Sequence, residues 1–68
     1  MNIGNRIRLL REGKGLTQGE LAEKLHVTQS FISMVENKNQ NLSMQKFIEL
    51  AEILECSLEV ITGKEGLK

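Results

Sequence analysis

An all-α domain of five short helices is what this sequence predicts, and three observations carry the expectation. The 68 residues hold no proline, so no helix need be broken by a missing backbone N–H. Apolar residues recur at intervals of three and four, the period of a helix face, and nowhere alternate as a half-buried strand requires. Hydroxyl residues suited to capping helix starts stand ahead of four of the five apolar segments.

Taken in order, Ile3, Ile7 and Leu10 share one face of a first helix that ends near "GKG", where Gly13 and Gly15 can stop it. Thr17, followed three residues later by Glu20, is a capping box opening a second helix with Leu21, Ala22 and Leu25 inward. After only "HV", Thr28 caps a third helix; Val27 precedes the cap, and Ile32 and Val35 point inward. The polar run "ENKNQN" reads as a turn. Ser43 caps a fourth helix with Met44, Phe47, Leu50, Ala51 and Leu54 at helical spacing. Ser57 caps a short fifth, with Leu58 and Ile61 inward, ending at Gly63. Residues 1–63 are expected to form one domain and 64–68 a frayed, flexible tail.

A chain this short buries only about 60% of the surface its unfolded form exposes, so it needs an economical core or a partner. Cys56 is the only cysteine, which excludes a disulfide, and with His26 it supplies too few ligands for zinc. No segment is apolar over the ~20 residues a membrane helix needs, and "MNIGNRIRLL" lacks the apolar core of a secretory signal. The expectation is a cytoplasmic protein with no membrane association, cofactor, metal or small-molecule ligand. Net charge is zero but polarised: residues 1–46 carry seven Lys/Arg against four Glu, and residues 47–68 two Lys against five Glu. A basic front suits a polyanion, and an acidic back suits something else.

Two helices joined by so few residues cannot lie antiparallel; they must cross at a large angle, as in a helix-turn-helix. Ala22 then lets the two backbones meet, and Val27, Ile32 and Val35 plug the angle between them. The residues left outward on the third helix are Gln29, Ser30, Ser33, Met34 and Asn37, short and uncharged apart from the longer, apolar Met34.

The segment Gln18 to Asn37 resembles the helix-turn-helix of the Cro/C1-type (Xre-like) repressors of bacteria and phages, the lambda-repressor-like DNA-binding domains. The likeness spans nearly the whole chain: "IRLLREGKGLTQGELAEKL" resembles the family's first two helices, "VTQSFISMVEN" its recognition helix, and "LSMQKFIELAEILECSLEVITG" its fourth and fifth. Gln18, Leu21, Ala22, Val27, Ile32, Val35 and Glu36 fall at motif positions. Where the family usually has glycine, this chain has His26 in the turn, Lys38 after the third helix and Glu55 after the fourth. All three positions tend to need positive φ. His26 is therefore expected in left-handed geometry at a cost of about 1 kcal/mol, with Asn37 able to take that role beside Lys38.

The resemblance implies a homodimeric, sequence-specific regulator that places its third helix in the major groove of double-stranded DNA and reads a palindrome. Gln29, just inside the helix start, can bond adenine N6 and N7. Ser30 and Ser33 are base-contact candidates, and Met34 could pack on a thymine methyl. Backbone contacts are expected from Gln18, Thr28, Asn37, Lys38, Asn39, Lys46, Arg6 and Arg8; such contacts give affinity but little sequence information. Arg11 and Glu36 are implied to form a partly buried architectural ion pair.

Ile48, Ile53 and Val60 are apolar where an isolated domain would prefer polar residues, and they suggest a two-fold dimer interface on the acidic half. No acid–base or nucleophilic constellation accompanies Thr17, Ser43 or Ser57, so no enzyme is expected. The rival reading is a protein-interaction module of the same fold, such as a toxin–antitoxin partner, with weak or no DNA binding; zero net charge favours it.

Overall fold

Four helices start where a side-chain hydroxyl supplies a missing acceptor, and three stop where the chain turns left-handed. The computed structural model describes residues 3–38 and 42–62; Asn39, Gly63 and the tail 64–68 lie outside the described residues. The helices are α1 (Ile3–Gly13), α2 (Gln18–Leu25), α3 (Gln29–Lys38), α4 (Met44–Ile53) and α5 (Leu58–Thr62). No strand occurs among the described residues, and no helix there is long and apolar enough to cross a membrane.

The caps close as the sequence suggests. Glu20 N–H donates to Thr17 Oγ1 at 3.0 Å, and Thr17 N–H donates back to the Glu20 carboxylate at 2.8 Å, completing the capping box. Phe31, Lys46 and Val60 N–H donate likewise to the hydroxyls of Thr28, Ser43 and Ser57.

Three helix ends share one device. After α1, Leu16 N–H reaches back to the Arg11 carbonyl at 3.1 Å and Gly15 N–H to that of Glu12 at 2.9 Å, with Gly15 at φ 74°. After α2, Val27 N–H donates to Ala22 O and His26 N–H to Glu23 O, with His26 at φ 63°, ψ 44°. After α4, Cys56 N–H donates to Ala51 O and Glu55 N–H to Glu52 O, with Glu55 at φ 56°. These are Schellman turns, which require a left-handed residue at the pivot. His26 and Glu55 occupy it without being glycine. The position after α3 differs from the expectation: the helix runs on through Asn37 and Lys38, and neither has positive φ.

The core is Ile7, Leu21, Ala22, Leu25, Ile32, Val35, Leu50, Ala51, Leu54 and Ile61, with Leu10, Val27, Phe31, Phe47, Ile53, Cys56 and Leu58 among the residues packed against it. α3 packs on α1 and α2, α1 also on α5, and α4 on α2 and α5. Two expected inward residues are not inward. Ile3 is 40% and Met44 65% exposed. Both are the first residues of their helices, and periodicity assigns a face without saying whether anything stands opposite at that height.

Gly4 was not singled out by the sequence, yet it decides how α1 meets α3. A Cβ built there would lie 2.4 Å from the Val35 carbonyl oxygen and 2.6 Å from that of Glu36. The two helices touch backbone to backbone at this point, and only hydrogen fits between them.

Candidate functional site

α2 and α3 are joined by three residues, His26 to Thr28, and the corner they make turns one side of α3 to solvent. Ile32, Val35 and Glu36 are buried, whereas Gln29, Ser30 and Asn37 are exposed, Met34 is 41% exposed and Ser33 is half-buried. Asn37 donates to Ser33 Oγ at 3.2 Å one helical turn back, which steadies two polar groups on that side. At the start of α3 the Gln29 carboxamide lies over Gly19: its Oε1 is 3.4 Å from where a Cβ at position 19 would stand.

Beneath this face is a buried charge cluster. Arg11 donates to Glu36 through Nε at 2.7 Å and Nη2 at 3.2 Å, a two-pronged pair, and through Nη1 to the Leu16 carbonyl at 2.7 Å. Glu36 is only 3% exposed. Gln18 Nε2 donates to the same carboxylate at 3.1 Å. A single carboxylate on α3 therefore ties together α1, the start of α2 and, through Arg11, the turn between them.

Other candidates are placed less simply. Lys38, Thr28 and Arg8 are exposed, and Thr28 spends its hydroxyl on the cap. Arg6 is half-buried, with its Nε shielded from solvent and lacking a hydrogen-bond partner. Lys46 does not point freely outward: its ammonium donates to the Leu25 carbonyl at 2.9 Å and to Glu49 at 3.4 Å. Glu49 is held below the usual carboxylate range, first by the Gln45 amide donating to it at 2.9 Å and then by Lys46. No signal in the sequence marks Lys46 as capping the end of α2, since nothing local relates residues 21 apart.

On the far side, Ile48 is 42% exposed, and Ile53 and Val60 are half-buried. Ile48, Ala51, Cys56 and Leu58 line a shallow groove between α4 and α5, with Glu52 and Glu55 along it. Among the described residues no cluster of His, Cys, Asp and Glu could hold a metal ion.

A helix-turn-helix family profile matches residues 7–61. Antitoxin HipB from Escherichia coli O6:H1 is 36% identical over 64 residues, covering 94% of this chain and 68% of HipB. The transcriptional regulator SinR from Bacillus subtilis is 37% identical over 64 residues, covering 93% of this chain and 58% of SinR. A crystal structure of SinR in complex with DNA superimposes with a TM-score of 0.79 at 37% identity, covering 87% of this chain and 95% of that one. The restriction-modification controller C.AhdI from Aeromonas hydrophila gives a TM-score of 0.80 at 32% identity, covering 87% of this chain and 89% of that one.

Proposed function

The chain belongs to the Cro/C1-type helix-turn-helix family, and from that premise we propose that it is a sequence-specific DNA-binding transcriptional regulator of the repressor or controller type. It acts in the cytoplasm as a homodimer on a palindromic operator. The observation that carries the reading is the two-sided character of α3: its apolar side and Glu36 are buried, while Gln29, Ser30 and Met34 stand uncovered. The likeness to SinR, crystallised with DNA, supports the same choice.

In this reading α3 enters the major groove N-terminus first. Gln29 offers both an acceptor and a donor, matching adenine N6 and N7, at roughly 1–3 kcal/mol of discrimination. Ser30 and Ser33 contact base edges directly or through water, and Met34 packs on a thymine methyl. Thr28, Asn37, Lys38, Arg6 and Arg8 meet phosphates, as does Asn39, which lies outside the described residues. Gln18 and Lys46 join them without surrendering their internal bonds. An amide nitrogen carries two N–H groups and an ammonium three, so each keeps one donor beyond those already engaged. Ile48, Ile53 and Val60 form the dimer interface, which sets the two copies of α3 roughly 34 Å apart.

Selection of binding sites from random duplexes tests this directly. A palindromic motif is expected, with affinity falling by orders of magnitude between about 50 and 200 mM salt as phosphate contacts release counterions. A second reading, an interaction module such as a toxin–antitoxin partner, is favoured by the likeness to antitoxin HipB. Recovery of no motif, together with salt-insensitive behaviour, would choose it over the regulator.

A further inference from the structure

Four glycines lie among the described residues, and two have a steric or conformational reason to be there. Gly4 admits the backbone of α3 and Gly15 takes positive φ, while Gly13 closes α1 in open space. Gly19 has neither reason. It sits in the first turn of α2, an eight-residue helix, without positive φ, where almost any other residue would favour the helix more. What a side chain at Gly19 would meet is another side chain. From an ideal Cβ, Gln29 Oε1 is 3.4 Å away and Gln29 Cδ 4.0 Å, with the capping hydroxyl of Thr17 at 3.9 Å. The carboxamide at the head of α3 thus borders the ground over Gly19, leaving room for a Cβ at ordinary van der Waals contact.

We propose that Gly19 is a specificity-determining positioning residue: by carrying no side chain it leaves the first turn of α2 open as the bed on which the Gln29 carboxamide rests, and so sets the direction in which that amide meets a base pair. The inference rests on the DNA-reading function proposed above. Glutamine has three side-chain torsions, and its two-point match to adenine demands one orientation of a planar group. A bare helical turn beside it restricts the amide from one side, whereas a longer neighbour would occupy the same volume and lift it away. A single methyl at position 19 meets Gln29 at ordinary contact distance, so the effect should begin with the second carbon.

The test uses the intact chain and four variants, Gly19→Ala, Gly19→Leu, Gly19→Gln and Gln29→Ala, with Gly19→Leu also combined with Gln29→Ala. The wild-type motif is first selected from random duplexes. Affinity is then measured against that motif and each of its single-base-pair changes, and folding is followed by circular dichroism. Leu and Gln are both good helix formers, so melting temperatures at or above wild type are expected, and either variant alone suffices should the other not fold. Gly19→Leu and Gly19→Gln should lose about tenfold of the preference at one base pair per half-site, the same pair at which Gln29→Ala loses it. Gly19→Ala should keep that preference. The double variant should show no further loss, because both changes remove one interaction. Full preference retained in Gly19→Leu and Gly19→Gln, an even loss across all base pairs, or additive losses in the double variant would each overturn the proposal while leaving the regulator assignment standing. Failure of the wild-type chain to select any motif would overturn both.

Discussion

His26 pivots the corner between α2 and α3 at φ 63°, ψ 44°, a region that costs a residue with a Cβ about 1 kcal/mol and a β-branched one more. Replacing it by valine should lower the unfolding free energy by about 1–2 kcal/mol, while glycine should hold it level or raise it by up to about 1 kcal/mol; denaturant midpoints distinguish the two. Equal midpoints for all three would mean the pivot is not strained. Glu36 raises the stakes. Its carboxylate is almost wholly enclosed and accepts from Arg11 and Gln18. Glu36→Ala leaves the buried Arg11 guanidinium with only the exposed Glu12 carboxylate 3.8 Å away, and breaking a buried pair typically costs 3–5 kcal/mol. The expected phenotype is lost helicity at room temperature rather than changed base preference, and a melting temperature equal to wild type would refute the architectural role. Single residues of this kind were legible in the sequence because their positions follow from local rules or from motif spacing. The bond from Gln18 to Glu36 was not, because only the fold brings α2 and the end of α3 together.

Among the elements, α1 and α3 meet at the closest backbone approach marked by a glycine. Gly4→Ala would place a methyl 2.4 Å from the Val35 carbonyl oxygen, where neither backbone can yield cheaply. The change should cost about 1–3 kcal/mol despite alanine's better helix propensity; a rise in melting temperature would show that α1 can slide clear. The five helices and their starts could be read from caps and apolar spacing, since capping depends on residues three apart. Their ends and depths could not always be read. α3 continues through Asn37 and Lys38, where a turn residue was expected, because a helix persists until something outside it stops it. Met44 shares the apolar spacing of α4 yet stays exposed, although Leu42 and Phe47 on either side of it pack against the core. Gly4 looked like any glycine near a helix start, and what it admits is remote in sequence.

At the scale of the whole molecule, the basic excess falls in residues 1–46, which include α1 to α3, and the acidic excess in residues 47–68, which include most of the proposed dimer-face helices. Ile48 is exposed, so a charge there spares the core of the monomer. Ile48→Glu should leave helicity and melting of the monomer near wild type. It should also shift the sedimentation coefficient toward one chain and weaken binding to a palindrome far more than to a half-site. A dimer unchanged by this substitution would place the interface elsewhere. The outward face of α3 was legible as a set once Ile32 and Val35 were assigned inward. How firmly it is held was not, since the Arg11 cluster beneath it and the Lys46 bond to Leu25 cross long stretches of chain. That separation of duties within α3 has a wider implication. The buried side chains that fasten the helix, Ile32, Val35 and Glu36, and the exposed Gln29, Ser30, Met34 and Asn37 fall on different sides of it, with Ser33 half-buried between them. The address a copy of this domain recognises can therefore be rewritten at the outer letters and at the Gly19 bed beneath the first of them, and gene duplication can yield new targets without first having to repair the buried scaffold.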